Sequence, residues 1–399
     1  MMNVKKITSF ALAASIAISP VSFVDAASND QIVDLKKVRE QNTEKEDFVK
    51  GEVIVKFKDN AKDSSANQLN VNGKIKEDTD EVDSNFRVLD VENVEAVVKA
   101  LNKNPNVAYA EPNYKFQSTF TPNDSLYQQY QYEPQSTYTD DAWNVAKGTS
   151  SQEIAVIDSG VDYNHPDLDG KTIKGYDFVD NDNNPMDESN HGTHVAGTAA
   201  AETDNATGIA GMAPNTSILA VRALDAQGNG SLADIADAIV YAADQGAEVI
   251  NLSLGCNCDT TTLENAVNYA WDKGSVVVAA AGNDGVSTTF EPASYDNVIA
   301  VGAIDQNNQK ASFSNYGTWV DVVAPGVSIA ATVPNNGYAY MSGTSMAAPH
   351  VSGLAGILAS QGRSNTEIRQ AIEQTTDQLS GTGVYSKYGK IDSLEAVNY

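Results

Sequence analysis

The chain has 399 residues, of which 41% are hydrophobic, and this suffices for a large core and for more than one average domain. Its 26 Lys and Arg against 53 Asp and Glu give a formal net charge of −27 at pH 7. Such an acidic balance argues against nucleic-acid and anionic-membrane partners, and it suits oxygen-ligated cations such as calcium.

The first segment has the pattern of a secretory signal peptide. Two lysines precede an apolar run, and small residues close it at Ala26 and Ala27. This pattern predicts export and cleavage after one of these two alanines. A membrane anchor is the alternative, but the run is short and Pro20 interrupts it. We therefore expect residues 1–26 to be a signal peptide and the protein to be extracellular.

Residues 27–118 differ in composition from the rest of the chain, since they contain no His, Cys or Trp. The segments GEVIVKFKD and NFRVLDV alternate as strands do, and NVAYAEPNYKF predicts a last strand. The segment VENVEAVVKALNKNP has the periodicity of a helix. We expect a small α+β module without a catalytic constellation.

From residue 119 onward, short apolar segments alternate with longer amphipathic ones. Strands are predicted for EIAVID, SILAVRAL, AEVINLSL, SVVVAAAG and NVIAVGAI, and helices for SLADIADAIVYAADQG and TTLENAVNYAWDKG. Strands that are apolar on both faces and alternate with helices indicate an α/β fold with a mainly parallel sheet flanked by helices. In such folds, functional sites collect at the carboxyl ends of the strands.

The only two cysteines, Cys256 and Cys258, are one residue apart. An oxidising compartment favours a strained local disulfide, which needs a bent backbone, and free thiols are the alternative. Two ligands this close, without a partner pair, make a poor zinc site.

Four polar residues stand at predicted strand ends or helix starts. Asp158 ends EIAVID, Asn283 follows SVVVAAAG, and His191 lies in NHGTHVAG. Ser345 stands where MSGTSMAAPH leads into a helix, and Pro349 is expected in the first turn of that helix. Taken singly, the serine suits an N-cap, and the aspartate and asparagine suit turns. A zinc-hydrolase interpretation is weak because the histidine pair has the spacing HxxH without the glutamate.

The segments IDSGV, HGTHVAG, AAAGN and GTSMAAPH resemble four motifs of the subtilisin-like serine proteases. The order Asp, His, Ser is that of subtilisin, which also uses an asparagine as an oxyanion donor, and no GxSxG elbow is present. The resemblance covers residues from about 120 to 399 and is strongest to the thermitase branch. Residues 27–118 resemble the family's propeptide, an intramolecular chaperone and inhibitor that is later removed.

The resemblance implies a subtilisin-like fold, with a propeptide at 27–118 and a peptidase domain at 119–399. It implies that Ser345 attacks the peptide carbonyl to form an acyl-enzyme, with His191 as general base and Asp158 orienting it. Asn283 and the Ser345 N–H would hold the oxyanion. The expected protein is a secreted, broadly specific, autoprocessed serine endopeptidase. We expect a monomer whose partners are peptide substrates and its own propeptide.

The resemblance further implies that a peptide substrate adds as a strand between two segments of the chain, a mode of binding that tolerates many sequences. One segment comprises Ser253, Leu254 and Gly255, and the other comprises Gly228, Asn229 and Gly230. Leu254 and Ala280 would line the pockets nearest the cut, and ordinary core packing is the alternative for both. A disulfide between Cys256 and Cys258 would follow the first segment and stiffen it.

Two or three calcium sites are also implied. Asp177, Asp180 and Asp182 fall within six residues, and their repulsion makes this costly without a cation. The family pattern adds the carbonyl of Asn184. Its next side-chain ligand is Met186 here, so either Asp187 substitutes or the site is weaker.

The resemblance places a second, tighter calcium site elsewhere in the peptidase region. Its side-chain ligands would be Asp124, Asp167 and Asn205, and its carbonyl ligands would be Glu202, Thr207 and Ile209. A third, weak cation site would use Asp321 with carbonyls near Ala293 and Tyr295.

Three functions other than proteolysis are disfavoured. A subtilase fold that only binds peptides does not need the complete set of Asp158, His191, Asn283 and Ser345. An esterase or lipase is disfavoured because the elbow motif is missing. A structural cell-surface protein is disfavoured because no repeats or anchor motifs are visible.

Overall fold

The computed structural model describes residues 48–58, 73–75, 86–115 and 120–399. The predicted signal peptide and the predicted boundary between residues 118 and 119 lie outside these ranges. The chain divides into two compact units, of which one ends at Ser118 and the other runs from Thr119 to Tyr399. Within the described ranges, no helix has the length and apolar character needed to cross a membrane.

The described part of the first unit is a small antiparallel sheet with one helix. Its elements are β1 (Phe48–Phe57), β2 (Gly73–Ile75), β3 (Arg87–Val91), α1 (Val94–Leu101) and β4 (Val107–Tyr114), and the strand order is β2-β3-β1-β4. Val53, Leu89 and Leu101 are buried together between helix and sheet. Asn93 caps α1, since its side chain accepts a hydrogen bond from the Ala96 N–H. The predicted α+β module is confirmed for these residues.

The second unit contains an eight-stranded sheet, in the order β14-β11-β10-β9-β8-β5-β7-β6. Its neighbouring strands are all parallel. The strands are β5 (Glu153–Asp158), β6 (Thr172–Asp177), β7 (Ser217–Arg222), β8 (Val249–Leu252), β9 (Val276–Ala280), β10 (Val298–Ile304), β11 (Val322–Pro325) and β14 (Gly389–Lys390). A separate hairpin pairs β12 (Ile329–Val333) with β13 (Gly337–Met341). The predicted parallel sheet is confirmed.

Helices cover both faces of this sheet. They are α2 (Tyr127–Tyr130), α3 (Glu133–Ser136), α4 (Thr139–Ala142), α5 (His191–Ala200), α6 (Leu232–Gln245), α7 (Thr261–Asp272), α8 (Thr344–Ala359), α9 (Asn365–Gln374) and α10 (Ser393–Asn398). In β5, Ile154 and Val156 join the core that contains α5 and α8, whereas Ala155 and Ile157 join the core that contains α6 and α7. A strand buried on both faces has no polar side to alternate, which explains its uniformly apolar sequence.

Strand β5 lies at the point where the chain changes direction across the sheet, since it pairs with β7 on one side and β8 on the other. A crevice at the carboxyl ends of the strands is expected at such a point. Asp158 is the last residue of β5, and Ser253 directly follows β8. The topology therefore brings two residues that are far apart in the chain to the same edge.

The start of α8 differs from its prediction. Gly343 is the N-cap residue, so Ser345 is the second helical residue and does not cap the helix. Pro349 is the sixth residue and lies inside the helix, not in its first turn. A proline there removes the N–H that would bond to the carbonyl four residues earlier, which belongs to Ser345.

Candidate active site

Asp158 and His191 are joined by a short hydrogen bond. The ring Nδ1 of His191 lies 2.7 Å from Asp158 Oδ1, and Asp158 is 0% exposed. The Ser159 N–H donates to the same carboxylate oxygen over 2.7 Å. Because the carboxylate accepts, Nδ1 carries the proton, and Nε2 is left able to take one.

Burial by itself would lower the pKa of His191. The charge of Asp158, the hydrogen bond to it and the charge of Asp187 outweigh burial, so the pKa lies above its ordinary value of 6.5. Both carboxylates stabilise the imidazolium that forms when the ring accepts a proton. The pair can therefore act as a general base whose protonated form is supported.

Ser345 and Ser253 are linked in both directions. The hydroxyl of Ser345 donates to the Ser253 carbonyl over 3.1 Å, and the hydroxyl of Ser253 donates to the Ser345 carbonyl over 2.8 Å. The second bond has room to form because Pro349 has no N–H to offer that carbonyl. The interior proline thus leaves the carbonyl of Ser345 open to a bond from the end of β8.

A buried polar chain extends this link into the core. Asn251 donates to the Ser253 hydroxyl over 3.0 Å and accepts from the Ser352 hydroxyl over 2.8 Å. Asn251 and Ser352 are both 0% exposed. Satisfied buried networks of this kind fix one geometry, since each lost bond would leave a buried polar atom unpaired.

Asn283 is held through its carbonyl oxygen. This Oδ1 accepts from the Thr344 N–H over 2.8 Å and from the Thr344 hydroxyl over 3.0 Å. The same hydroxyl accepts from the Gly282 N–H over 3.1 Å. With Oδ1 occupied, the Nδ2 group of Asn283 is the part left to donate. The sequence analysis missed Thr344, although it lies within the GTSMAAPH motif.

The residues predicted to flank a substrate follow the ends of β7 and β8. Gly228, Asn229, Gly230 and Gly255 are exposed or half-exposed, as is Leu254, whereas Ser253 is buried. Within the described part of the chain, Leu254, Gly255 and Gly230 make no backbone hydrogen bond, so their N–H and C=O groups can pair with an added strand. Ala280 is 2% exposed and belongs to the core between the sheet and α8.

Cys256 and Cys258 lie beside this edge. Their sulfur atoms are in bonding contact, and their Cα atoms are 5.2 Å apart, which suits a disulfide. Cys256 and Glu291 exchange backbone hydrogen bonds of 2.8 and 2.9 Å. The bend between the cysteines is therefore anchored to a neighbouring segment.

Two buried carboxylates interact in the second unit, and one of them has an oxygen without a donor among the described residues. Asp124 is 4% exposed, and its Oδ1 is buried with no partner among the described residues. Burial raises its pKa, the charge of Asp167 adds to that effect, and backbone N–H groups oppose it. Asp167 is fully buried, and its Oδ1 accepts from the side-chain NH₂ of Asn205 over 3.0 Å. Its Oδ2 accepts from the Ile209 N–H and from the Tyr338 hydroxyl, each over 3.0 Å.

The carbonyls expected around this pair are also free to bind. Among the described residues, none donates a hydrogen bond to the carbonyls of Glu202, Thr207 or Ile209. An orphaned carboxylate oxygen, a second buried carboxylate and unpaired carbonyls form the oxygen-rich donor set that calcium prefers. These residues fit a calcium ion.

Two of the three aspartates at 177, 180 and 182 are paired with a cationic side chain. Arg222 donates to Asp177 over 2.9 Å, to Asp180 over 2.7 Å and to Glu188 over 2.9 Å. This guanidinium offsets part of their repulsion but is not paired with Asp182 in the described residues, so the expected calcium site there stays a prediction. The described residues contain no group of three or more His, Cys, Asp or Glu side chains placed to hold a metal ion.

Two further calcium-site residues have protein partners. Asp187 does not face the aspartate cluster, since its carboxylate accepts from Ser159, Ser189, Asn190 and Thr193. The Oδ1 of Asp182 accepts from the N–H of Asn184, the residue whose carbonyl was expected to bind.

Asp321 also has a cationic partner. Its Oδ2 accepts from the Ala300 N–H over 3.0 Å and from Arg369 over 3.4 Å. Burial raises its pKa to about 6 against the opposing charge of Arg369. Arg369 also donates to the carbonyl of Asp296, close to the expected ligands Ala293 and Tyr295. The guanidinium of Arg369 thus supplies positive charge beside Asp321.

Comparison with known proteins gives two family matches. The model of the subtilase family matches residues 149–390, and the model of the fervidolysin N-terminal prodomain matches residues 35–113. The chain is 69% identical to the thermophilic serine proteinase of Bacillus sp. (strain AK1), with 100% of both chains covered. It is 56% identical to thermitase of Thermoactinomyces vulgaris, over 70% of this chain and 100% of that one.

A solved structure shares the fold. A protease from Pseudoalteromonas arctica PAMC 21717 matches with a TM-score of 0.62 and 32% identity. The match covers 70% of this chain and 99% of that one.

Proposed function

The chain belongs to the subtilase family of serine proteases and carries a prodomain of the fervidolysin type, and from this we propose that it is a secreted, calcium-stabilised endopeptidase that cuts its own propeptide away. The observation that carries the mechanism is the 2.7 Å bond between buried Asp158 and His191 at the carboxyl end of β5. It orients a base at the sheet edge that also holds the start of α8, where Ser345 stands.

In this mechanism Nε2 of His191 removes the proton from the Ser345 hydroxyl as that oxygen attacks the peptide carbonyl. Asp158 holds the ring with Nδ1 protonated and stabilises the imidazolium. The imidazolium then delivers its proton to the leaving amine, and water repeats the sequence on the acyl-enzyme. Nδ2 of Asn283 and the N–H of Ser345 hold the developing oxyanion.

The substrate is proposed to be an extended peptide that adds as a strand at the carboxyl edge of the sheet. The backbone groups of Leu254, Gly255 and Gly230, which have no hydrogen-bond partner in the described ranges, support this mode. Backbone hydrogen bonds do not depend on the side chains of the substrate, so we expect broad specificity. Ala280 would form the floor of a pocket, since it is buried directly before the loop that carries Asn283. The disulfide between Cys256 and Cys258 would stiffen the same edge.

Calcium is proposed at the site formed by Asp124, Asp167 and Asn205, with the carbonyls of Glu202, Thr207 and Ile209. When bound, the ion neutralises the buried carboxylates and ties the segment around Asp124 to the loop at 202–209. It takes no part in the chemistry. At the aspartate cluster and at Asp321 we propose weaker cation sites, because Arg222 and Arg369 already supply part of the positive charge there.

We propose that residues 1–26 direct secretion, that residues 27–118 are the propeptide, and that the mature monomer begins near residue 119. The prodomain match at 35–113 supports this division. The test is the intact mass of the secreted protein, wild type beside Ser345→Ala, expressed with calcium in a protease-deficient host.

The expected result is a wild type that has lost everything before about residue 119 and a variant that keeps its propeptide. Identical maturation of both proteins contradicts autoprocessing. A mature Ser345→Ala protein that still cleaves casein contradicts the assignment of Ser345 as the nucleophile.

A further inference from the structure

Asp187 is a buried carboxylate that the mechanism does not use. It lies in the loop between β6 and α5, four residues before His191, and is 5% exposed. Its Oδ1 accepts from the Ser159 hydroxyl over 2.8 Å, the Ser189 N–H over 2.8 Å and the Asn190 N–H over 3.1 Å. Its Oδ2 accepts from the Thr193 N–H over 2.9 Å and the Thr193 hydroxyl over 2.5 Å.

These five donors come from both sides of the site. Ser189, Asn190 and Thr193 surround His191, whereas Ser159 directly follows Asp158. The Ser159 hydroxyl also accepts from the Gly192 N–H over 3.0 Å. Asp187 and Ser159 therefore connect the segment that carries the base to the residue beside its orienting carboxylate.

The last residue of the loop has a left-handed backbone conformation. Asn190 has φ of 80°, in a region that residues other than glycine rarely adopt, and it directly precedes His191. Such a conformation persists only where the surroundings fix it. The bond from its N–H to Asp187 supplies part of that constraint.

These donors all find a partner only if both side-chain atoms at this position are hydrogen-bond acceptors, as the two oxygens of a carboxylate are. An asparagine would place an NH₂ group against either the N–H groups of Ser189 and Asn190 or the N–H of Thr193. Backbone donors cannot reverse their role. At least one buried bond would be replaced by two facing donors, so the site selects a carboxylate and not merely a polar side chain of that shape.

We propose that Asp187 is a positioning residue for the general base: it fixes the first turn of α5 relative to Asp158 and supplies a second negative charge near the imidazole. The inference rests on the proposed function, since it presumes His191 as the base. It also explains why Asp187 cannot stand in for the missing calcium ligand, because its oxygens are turned inward and occupied.

The electrostatic part follows from the groups around His191, which are Asp158, Asp187 and the buried His194. His194 has its own pKa lowered to about 3 by burial, so it stays neutral under working conditions. Asp158 and Asp187 both raise the pKa of His191. Catalysis needs His191 unprotonated, so loss of the Asp187 charge moves the acid limb of kcat/KM to lower pH.

The test compares Asp187→Asn, Ser159→Ala and Glu188→Gln. Glu188→Gln is the matched control: it removes one charge at the next residue, whose exposed side chain pairs with Arg222. Each full-length zymogen is matured by a trace of affinity-tagged wild type that is then removed. Active sites are titrated with a fluorophosphonate, and kcat and KM on a peptide p-nitroanilide are measured from about pH 5 to 10.

For Asp187→Asn we expect kcat to fall on the order of 10- to 100-fold with KM changed by less than about threefold. Its acid limb should move to lower pH by roughly half a unit. Ser159→Ala should lower kcat but keep the wild-type acid limb, because the Asp187 charge remains. Glu188→Gln should match wild type in both quantities.

A wild-type kcat and an unmoved acid limb in Asp187→Asn overturn the proposal. A lower kcat with an unmoved acid limb in Asp187→Asn also overturns it, because that result indicates a purely structural role. An equal shift of the acid limb in Glu188→Gln overturns it too, because that result indicates a general effect of charge. Should Asp187→Asn yield no titratable sites, Ser159→Ala decides, and a wild-type kcat there overturns the proposal. Failure of the proposed function has a separate sign, namely activity in Ser345→Ala.

Discussion

At the scale of single residues, the proposed oxyanion donor depends on a neighbour that performs no chemistry. Asn283 presents its NH₂ group because Thr344 occupies its carbonyl oxygen with two donors. A free amide could rotate and offer the wrong atom, since its two ends have similar shapes. Preorganisation of this kind avoids reorientation during the reaction.

Asn283→Ala should lower kcat by roughly 10²- to 10³-fold with little change in KM, because the donor acts on charge that develops only in the transition state. Thr344→Val removes one of two holding bonds and should cost less, about 10-fold. Both values come from steady-state kinetics on a peptide p-nitroanilide with titrated active sites. A larger loss in Thr344→Val than in Asn283→Ala contradicts this division of roles.

At the scale of elements, the interior proline of α8 and the end of β8 act together. Pro349 deprives the Ser345 carbonyl of the N–H that a helix normally supplies four residues later, and the Ser253 hydroxyl donates to that carbonyl from another element. Ser345 is thereby tied to the sheet through its backbone as well as presented by the helix. The missing N–H is what lets strand and helix be joined at this point.

Ser253→Ala should lower the free energy of unfolding by about 1–3 kcal/mol, because the Ser345 carbonyl and the buried Asn251 amide both lose a partner. The double variant Ser253→Ala/Pro349→Ala should regain part of this loss, since an alanine in place of the proline can offer an N–H to the same carbonyl. The measurement is thermal unfolding of the fluorophosphonate-blocked enzymes, analysed as a double-mutant cycle. Coupling on the order of 0.5–3 kcal/mol is expected, and strictly additive effects would contradict the linkage.

At the scale of the whole molecule, the negative charge of clustered carboxylates is neutralised in two ways. Around Arg222 and Arg369, guanidinium groups pair with carboxylates from distant segments. Around Asp124 and Asp167, no cationic side chain is paired with either carboxylate in the described residues, and the proposed calcium ion would neutralise them. The second arrangement makes stability depend on the calcium concentration.

Chelation of calcium should therefore lower the Tm of the blocked mature enzyme. The free energy lost is about 2.7 kcal/mol when calcium was present at 100 times its Kd. Asp124→Asn should abolish the response to calcium, whereas Asp182→Asn, the same change in the aspartate cluster beside Arg222, should retain it. Scanning calorimetry with and without chelator makes the comparison. A calcium response that survives in Asp124→Asn and vanishes in Asp182→Asn would mean that the ion binds at the aspartate cluster instead.

The sequence by itself determined the features that depend on local pattern. The parallel sheet follows from uniformly apolar strands such as β5, and the family follows from the motifs around Asp158, His191, Asn283 and Ser345 in their order along the chain. The α+β module before residue 118 follows from alternating strand segments and one amphipathic helix. Each of these is encoded within a few consecutive residues.

The tertiary structure alone decided which distant groups meet. Asp177 and Arg222 are 45 residues apart, so the cluster looked uncompensated when its charges were counted along the chain. The inward turn of Asp187, the role of Thr344 and the partner of the Ser345 carbonyl likewise depend on contacts between separate elements. Hydrogen bonds and ion pairs depend on distance in space, and only the folded sheet sets that distance.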